Sequence, residues 1–163
     1  MSNNRTEIEL RRFYERWAPF VATFCKLYLG DSQTAEAAVA RTFLKYFRSE
    51  LPLRRDHVPA ALMSLALEES NCAGGGTGSE AGSAFEWAVL ELPPDKRAVF
   101  LLHGLLDLHL ASIAAITGSP FATVSQLWIC ALVQLRMSIV RDGCSRLFAC
   151  CGPGPLGAAG ACA

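Results

Sequence analysis

The sequence predicts an all-α fold built as two small helical domains joined by a flexible Gly-rich linker. Three observations carry that prediction. Apolar residues recur at three and four positions in each long segment, and no stretch alternates as a half-buried strand would. Residues 73–83, AGGGTGSEAGS, hold five glycines and no large apolar side chain, the composition of a flexible linker. Beyond it, residues 108–135 have the spacing of a helix, a glycine turn and a second helix, the helix-turn-helix arrangement. Residues 1–72 are then an N-terminal helical domain, 73–84 the linker, 85–141 a helix-turn-helix domain and 142–163 a Gly/Cys-rich tail. A flexible segment of this length has an r.m.s. span of about 18 Å, so the two units can touch or separate.

In the first unit Phe13, Trp17, Phe20, Val21, Phe24 and Tyr28 share one helical stripe. Pro19 should bend that helix or divide it, because an interior proline lacks the N–H and crowds the preceding turn. Gly30 should end it, with Asp31 or Ser32 capping the next helix. That helix carries Ala35, Ala38, Val39, Thr42, Phe43, Tyr46 and Phe47 at three- and four-residue spacing, with Glu36, Arg41, Lys45 and Arg48 elsewhere on the wheel. A loop is expected at 50–59 and a helix at 60–70 through Leu62, Leu65 and Ala66. The second unit opens with a helix at 85–92, which Pro93-Pro94 breaks. A helix from Asp95 to about Leu106 should turn Val99, Leu102 and Leu106 inward, and a short helix at about 110–117 should end at Gly118. Ser119-Pro120 starts the last helix, as an N-cap followed by proline at the first helical position. Its inward stripe is Val124, Trp128, Ala131 and Leu135. It should run to about Arg141, where Gly143 can terminate it, and the tail beyond should lack a fold of its own.

The 163 residues are 52% hydrophobic and 18% charged, with Lys+Arg and Asp+Glu at 15 each. That balance gives no global attraction to nucleic acid or to anionic membrane. The apolar run nearest to membrane length, residues 121–140, is interrupted by Ser125, Gln126, Gln134, Arg136 and Ser138, so a buried or partner-facing helix is expected rather than a membrane span. Seven cysteines, an odd number, and a polar N-terminus without a secretory pattern point to a cytoplasmic chain with reduced thiols. Cys25 and Cys130 fall within helical patterns, as small core residues do. Four of the seven lie in the last 20 residues with neither a CxxC pair nor a histidine, and His103 and His109 have no suitably spaced Cys or carboxylate, so no metal is expected. GGGTG precedes no strand-to-helix phosphate loop, and no Ser-His-Asp or Cys-His spacing suggests an enzyme. No cofactor is expected.

The helix-turn-helix carries a conflict. There is no Lys, Arg, Asp or Glu between Asp107 and Arg136. A helix that reads DNA needs cations for the phosphates and Arg, Lys, Asn or Gln for base edges. The outward set expected on the second helix is instead Leu127, Ile129, Cys130, Leu132 and Val133. Such a patch marks an interface with a partner or a second copy, unless the N-terminal unit or the tail covers it. The basic residues Arg41, Lys45, Arg48, Arg54 and Arg55 can meet phosphates or simply solvate a helix face.

Two longer stretches carry a resemblance. They are FYERWAPFVATFCKLYLGDSQTAEAAVARTFLKYFRS and ELPPDKRAVFLLHGLLDLHLASIAAITGSPFATVSQLWICALVQL. Leu29-Gly30-Asp31 with Ala35-Glu36, then Thr42-Phe43-Leu44, Leu92-Pro93-Pro94 and Thr123-Val124, occur in the order and spacing of an extracytoplasmic-function sigma factor of bacterial RNA polymerase, which the chain resembles over about residues 13–69 and 85–135. The resemblance implies a first domain that binds the polymerase clamp and opens the −10 element, and a second that reads the −35 element. It also implies regulation by an anti-sigma factor.

The departures fall where that function resides. After Ala35-Glu36 the family places acidic and Gln residues on the clamp-facing surface, where this chain has Ala37, Ala40 and Arg41. With Glu36 and Lys45 these are the candidate polymerase-facing positions. In the promoter-melting helix, where the family favours Trp, Arg and Asn, the matching positions are Ala61, Ser64, Leu67 and Glu68, and Glu69 adds a negative charge. In the recognition helix the DNA- or partner-binding candidates are Ser119, Thr123, Ser125, Gln126, Leu127, Ile129, Cys130 and Leu132. Two functions are therefore carried forward. One is a sigma-like initiation protein that binds RNA polymerase core and promoter DNA. The other is a divergent sigma-like scaffold or adaptor that binds a protein partner through an apolar helix and has lost DNA binding.

Overall fold

The computed structural model describes the backbone of residues 3–49, 58–74 and 82–150. Among these residues there are seven α-helices, one π-helical turn and no strand. The all-α expectation therefore holds.

Helix α1 (Asn3–Leu29) is continuous. Pro19 neither bends the chain into two helices nor ends the first one, and it sits on the exposed side, where loss of one N–H leaves its acceptor open to water. Val21, Phe24, Cys25, Tyr28 and Leu29 face inward. Phe20 departs from the expected stripe: Val21 takes the inward position and Phe20 is 48% exposed, resting against Trp17 with ring centroids 5.9 Å apart. Gly30 turns the chain at φ +73°, a left-handed conformation that suits glycine. Asp31 caps α2 (Ser32–Arg48) by accepting the Thr34 N–H at 2.7 Å, which holds its carboxyl below the usual range. The inward face of α2 is as expected, apart from Phe47, which lies partly exposed at its edge. Helix α3 (Val58–Ala73) starts two residues before the expected helix and buries Val58, Leu62, Met63, Ala66 and Leu67. Tyr28 donates to Asn71 Oδ1 at 2.6 Å and ties α3 to the end of α1.

Most of the expected linker falls outside the described residues; Ala73 closes α3 and Ser83 opens α4 (Ala84–Leu90) with a capping box to Glu86. Helix α5 (Pro94–Phe100) passes into a π-helical turn (Leu101–Leu105), where a single α-helix to Leu106 was expected. Leu101 and Leu102, in the widened turn, continue the buried run of Arg97–Phe100. Asp107 then takes φ +52°, and Leu108 donates its N–H to Leu102 O at 3.1 Å. Helix α6 (Leu110–Thr117) ends at Gly118, φ +64°, as expected. Helix α7 (Phe121–Cys150) begins one residue later than expected, with Pro120 O accepting from Val124 N–H. It also continues through Gly143 to Cys150. One interior glycine costs a helix only about 1 kcal/mol relative to alanine, too little to stop it where no proline follows at once. The first part of the expected unfolded tail is thus helical, and residues 151–163 lie outside the described set.

The two halves pack together through one continuous core. Arg97 of α5 is the main polar tie. Its guanidinium donates to Tyr28 O at 2.6 Å, to Leu92 O at 3.0 Å and to Leu90 O, and lies 5.7 Å from the Tyr28 ring. Tyr28 and Leu90 lie at the C-terminal ends of α1 and α4, where a cation complements the helix dipole, and Leu92 follows α4. Burial pulls the Arg97 pKa down, but arginine starts so high that the group stays charged. Helix α6 rests on α3, which turns the helix-turn-helix toward the first half.

Candidate functional site

Three surfaces bring the sequence candidates together. The first is on α2. Glu36, Ala37, Ala40, Arg41 and Lys45 are all exposed, on successive turns. Arg41 Nε lies 3.2 Å from Glu69, and Lys45 Nζ contacts Glu68 at 2.8 Å and Glu69 at 2.9 Å. The hydrogen bonds that Lys45 donates to Glu68 and Glu69 push its pKa up. The carboxylates of α3 thus neutralise two of the cations read as phosphate contacts, while Arg48 is exposed and Arg54 and Arg55 lie outside the described residues. Beside this face, α1 and α2 leave an open groove of about 630 Å³. Small residues, Ala18, Pro19, Ala22, Ala35 and Ala40, make up much of its lining, together with Tyr14, Val39 and the charged Glu15, Lys26 and Glu36. The groove was not read from sequence; small side chains on facing turns of both helices are its signal.

The second surface is a cleft of about 580 Å³ between α3 and the helix-turn-helix. Ser119, Thr123 and Leu127 line one wall, and Ser64, Leu67, Glu68 and Asn71 of α3 line the other. Leu127 is a correction. It was expected outward, but it is half-buried against the core, because it sits on the flank of α7 nearest α3. Of the positions matched to the family's promoter-melting helix, Leu67 and Glu69 are buried, Ala61 is half-buried, and Ser64 and Glu68 line the cleft.

The third surface is the outer face of α7. Val124, Ala131 and Leu135 are buried as expected. Trp128 is half-buried, stacked on Phe100 at 5.9 Å and edge-on to His103 at 4.6 Å. Ser125 is half-buried and Gln126 is exposed. Ile129 is 60% exposed, Leu132 42% and Val133 59%, and Cys130 beside them is exposed as well. Cys130 is therefore a surface residue and not the core residue its helical setting suggested. The apolar face extends past the expected set through Met137, Ile139 and Val140. The same spacing, continued one helical turn beyond Leu135, is the signal that would have found them. The cations nearby are few. Lys96 donates to Gln134 at 3.2 Å, Arg141 pairs with Glu91 at 2.9 Å, and Arg136 is exposed. The Ser138 hydroxyl also donates to Glu91 at 2.6 Å; this bond, and then Arg141, hold the Glu91 carboxyl below its usual range.

By length and composition Phe121–Arg141 could cross a membrane, and 22% of its most apolar window is buried in the protein. No protein-family model matches the chain, and no curated protein matches it. The arrangement offers an apolar helix face interrupted by Arg136 and a groove lined largely by small residues, which are means of holding another protein segment.

Proposed function

We propose that this is a sigma-like protein that acts by binding protein, with RNA polymerase core as the partner of the α1–α2 groove, and that its helix-turn-helix does not read promoter DNA. One observation carries the reading. Ser119, Thr123 and Leu127 line the cleft that faces α3, and the outward side of the same helix presents Ile129, Cys130, Leu132 and Val133, none of them charged. A DNA-reading helix placed in the major groove would have to offer phosphate cations and base-edge donors from those positions. Polymerase core is supported by the resemblance of residues 13–69 and by the open Glu36–Ala40 face beside the groove. An anti-sigma factor or another protein is the partner class for the apolar face.

The promoter-reading alternative is favoured by the α6–Gly118–α7 geometry, which is that of a helix-turn-helix. One experiment separates the two. The full chain is used to capture purified polymerase core, and the captured complex is then titrated with promoter duplex. Retention of core, lost in a Glu36→Arg/Ala40→Arg variant, without promoter-specific binding supports the adaptor reading. No retention of core overturns it, and promoter-specific binding restores the initiation-factor reading.

A further inference from the structure

The cleft between α3 and the helix-turn-helix has no part in protein binding as proposed above, and its lining has a chemistry of its own. Its volume, about 580 Å³, falls in the range of small-molecule sites. Leu67, Ala98 and Val99 line it from the core, and Ile116 and Leu127 add two half-buried apolar side chains. Ser64 and Asn71 offer hydrogen-bonding groups from one wall, Ser119 and Thr123 from the other. The charges are of one sign. Among the described residues, Glu68 and Asp95 line the cleft and no Lys, Arg or His does. Asp95 is exposed and makes no hydrogen bond or ion pair among those residues. Glu68 accepts from Lys45 at Oε1, which leaves Oε2 for another donor. Two cations stand behind the lining, and both are engaged. Lys45 is shared with Glu69, and Arg97, beside the Tyr28 ring, donates to three carbonyls. Helix dipoles do not reverse the sign. Helices α1, α3 and α6 end at the cleft, with Tyr28, Asn71 and Thr117 in its lining, while α5 and α7 begin there. The negative ends are thus at least as many as the positive ones.

We propose that this cleft binds a small organic amine in its protonated form, with the ammonium against Asp95 and Glu68 and a hydrocarbon body against Leu67, Val99 and Leu127. An anion, whether a phosphate ester or a carboxylate, would meet two carboxylates and no cation, and would lose its water for nothing. A quaternary ammonium is held by open aromatic faces, and Tyr28, the one aromatic among the described lining residues, is 3% exposed. A primary ammonium has three N–H donors, and the carboxylates with the Ser119 and Thr123 hydroxyls are acceptors for them. The lining comes from both halves of the chain, so the bound amine ties the helix-turn-helix to α3. Amine binding is independent of polymerase capture, and loss of that capture would leave it standing.

The probe is tryptamine, titrated into the full chain to about 10 mM and followed by backbone amide NMR shifts. Indole-3-propionate, the same ring with a carboxylate in place of the ammonium, is titrated beside it. Tryptamine should give saturable shifts at residues 64–71, 95–99 and 116–127, with a Kd on the order of 1 mM, and indole-3-propionate should give none there. Asp95→Asn should weaken tryptamine about two- to fivefold with an unchanged helical circular-dichroism spectrum. If that variant does not fold, Thr123→Trp decides: it fills the cleft from an exposed position and should abolish the same shifts. No saturable shift with tryptamine, equal binding of the two indoles, or an affinity that neither variant changes overturns the proposal. Shifts confined to the α1–α2 groove, which also holds carboxylates in Glu15 and Glu36, would move amine binding to that groove and contradict it.

Discussion

Arg97 shows how one side chain can hold two halves of a chain together. It lies buried, and its guanidinium donates to the carbonyls of Tyr28, Leu90 and Leu92. A carbonyl left unpaired in the core costs about 1–3 kcal/mol, so Arg97→Met should destabilise the protein by roughly that amount even though a charge is no longer buried. Urea denaturation will read the change as a lower midpoint. An unchanged midpoint would mean that water replaces the guanidinium without loss. Lysine should not rescue the variant, because one ammonium does not reproduce the planar fork. Two carboxylates give the stability a pH dependence. Asp31 and Glu91 are held below their ordinary values in the folded state, so the unfolded chain binds more protons and stability rises with pH. Their contribution is present above the ordinary carboxylate range, near pH 4, and is lost as the pH falls through the lowered folded values. The melting temperature should therefore drop on acidification, and an Asp31→Asn/Glu91→Gln variant should show a shallower drop. An identical acid profile would remove these two groups from the account.

At the scale of elements, Gly118 and Trp128 set the helix-turn-helix. A Cβ at Gly118 would meet nothing within 4 Å, so Gly118→Ala should cost only the left-handed strain, about 1–2 kcal/mol, measured by thermal or urea melting. A stabilised variant would contradict this. Trp128→Ala should cost about 2–3 kcal/mol, less than the 3–5 of a fully buried ring, since Trp128 keeps one side in water. These elements also show what the sequence made legible. Helical periodicity, the Gly30 and Gly118 stops and the Asp31 cap are local signals, and each was met in the structure. Pro19 and Gly143 misled because helix breakers compete with packing and propagation, and both lose on an otherwise favourable helix. The π turn after Phe100 was not legible, because no residue preference in the sequence marks it; it lies inside a run buried from Arg97 to Leu102. At the candidate site, the apolar outer face of α7 was readable from its spacing. The position of Leu127 was not, because it depends on how α6 rests on α3, a contact between segments far apart in sequence.

At the scale of the whole molecule, the proposal that the helix-turn-helix does not read DNA rests on how few free cations its own half carries. From residue 85 to 141 the cations are Lys96, Arg97, Arg136 and Arg141, against Glu86, Glu91, Asp95 and Asp107. Arg97 is buried, Arg141 is paired with Glu91, and Lys96 is engaged with Gln134. Few counterions would be released on contact with a duplex. The most direct measurement is a fluorescence-anisotropy titration of the full chain with duplex DNA at several salt concentrations. The account predicts weak binding whose logarithm changes little with the logarithm of salt, a slope of about one or less. Tight binding that falls steeply with salt would contradict it, and loss of that binding on Arg136→Gln would place the contact on the helix-turn-helix.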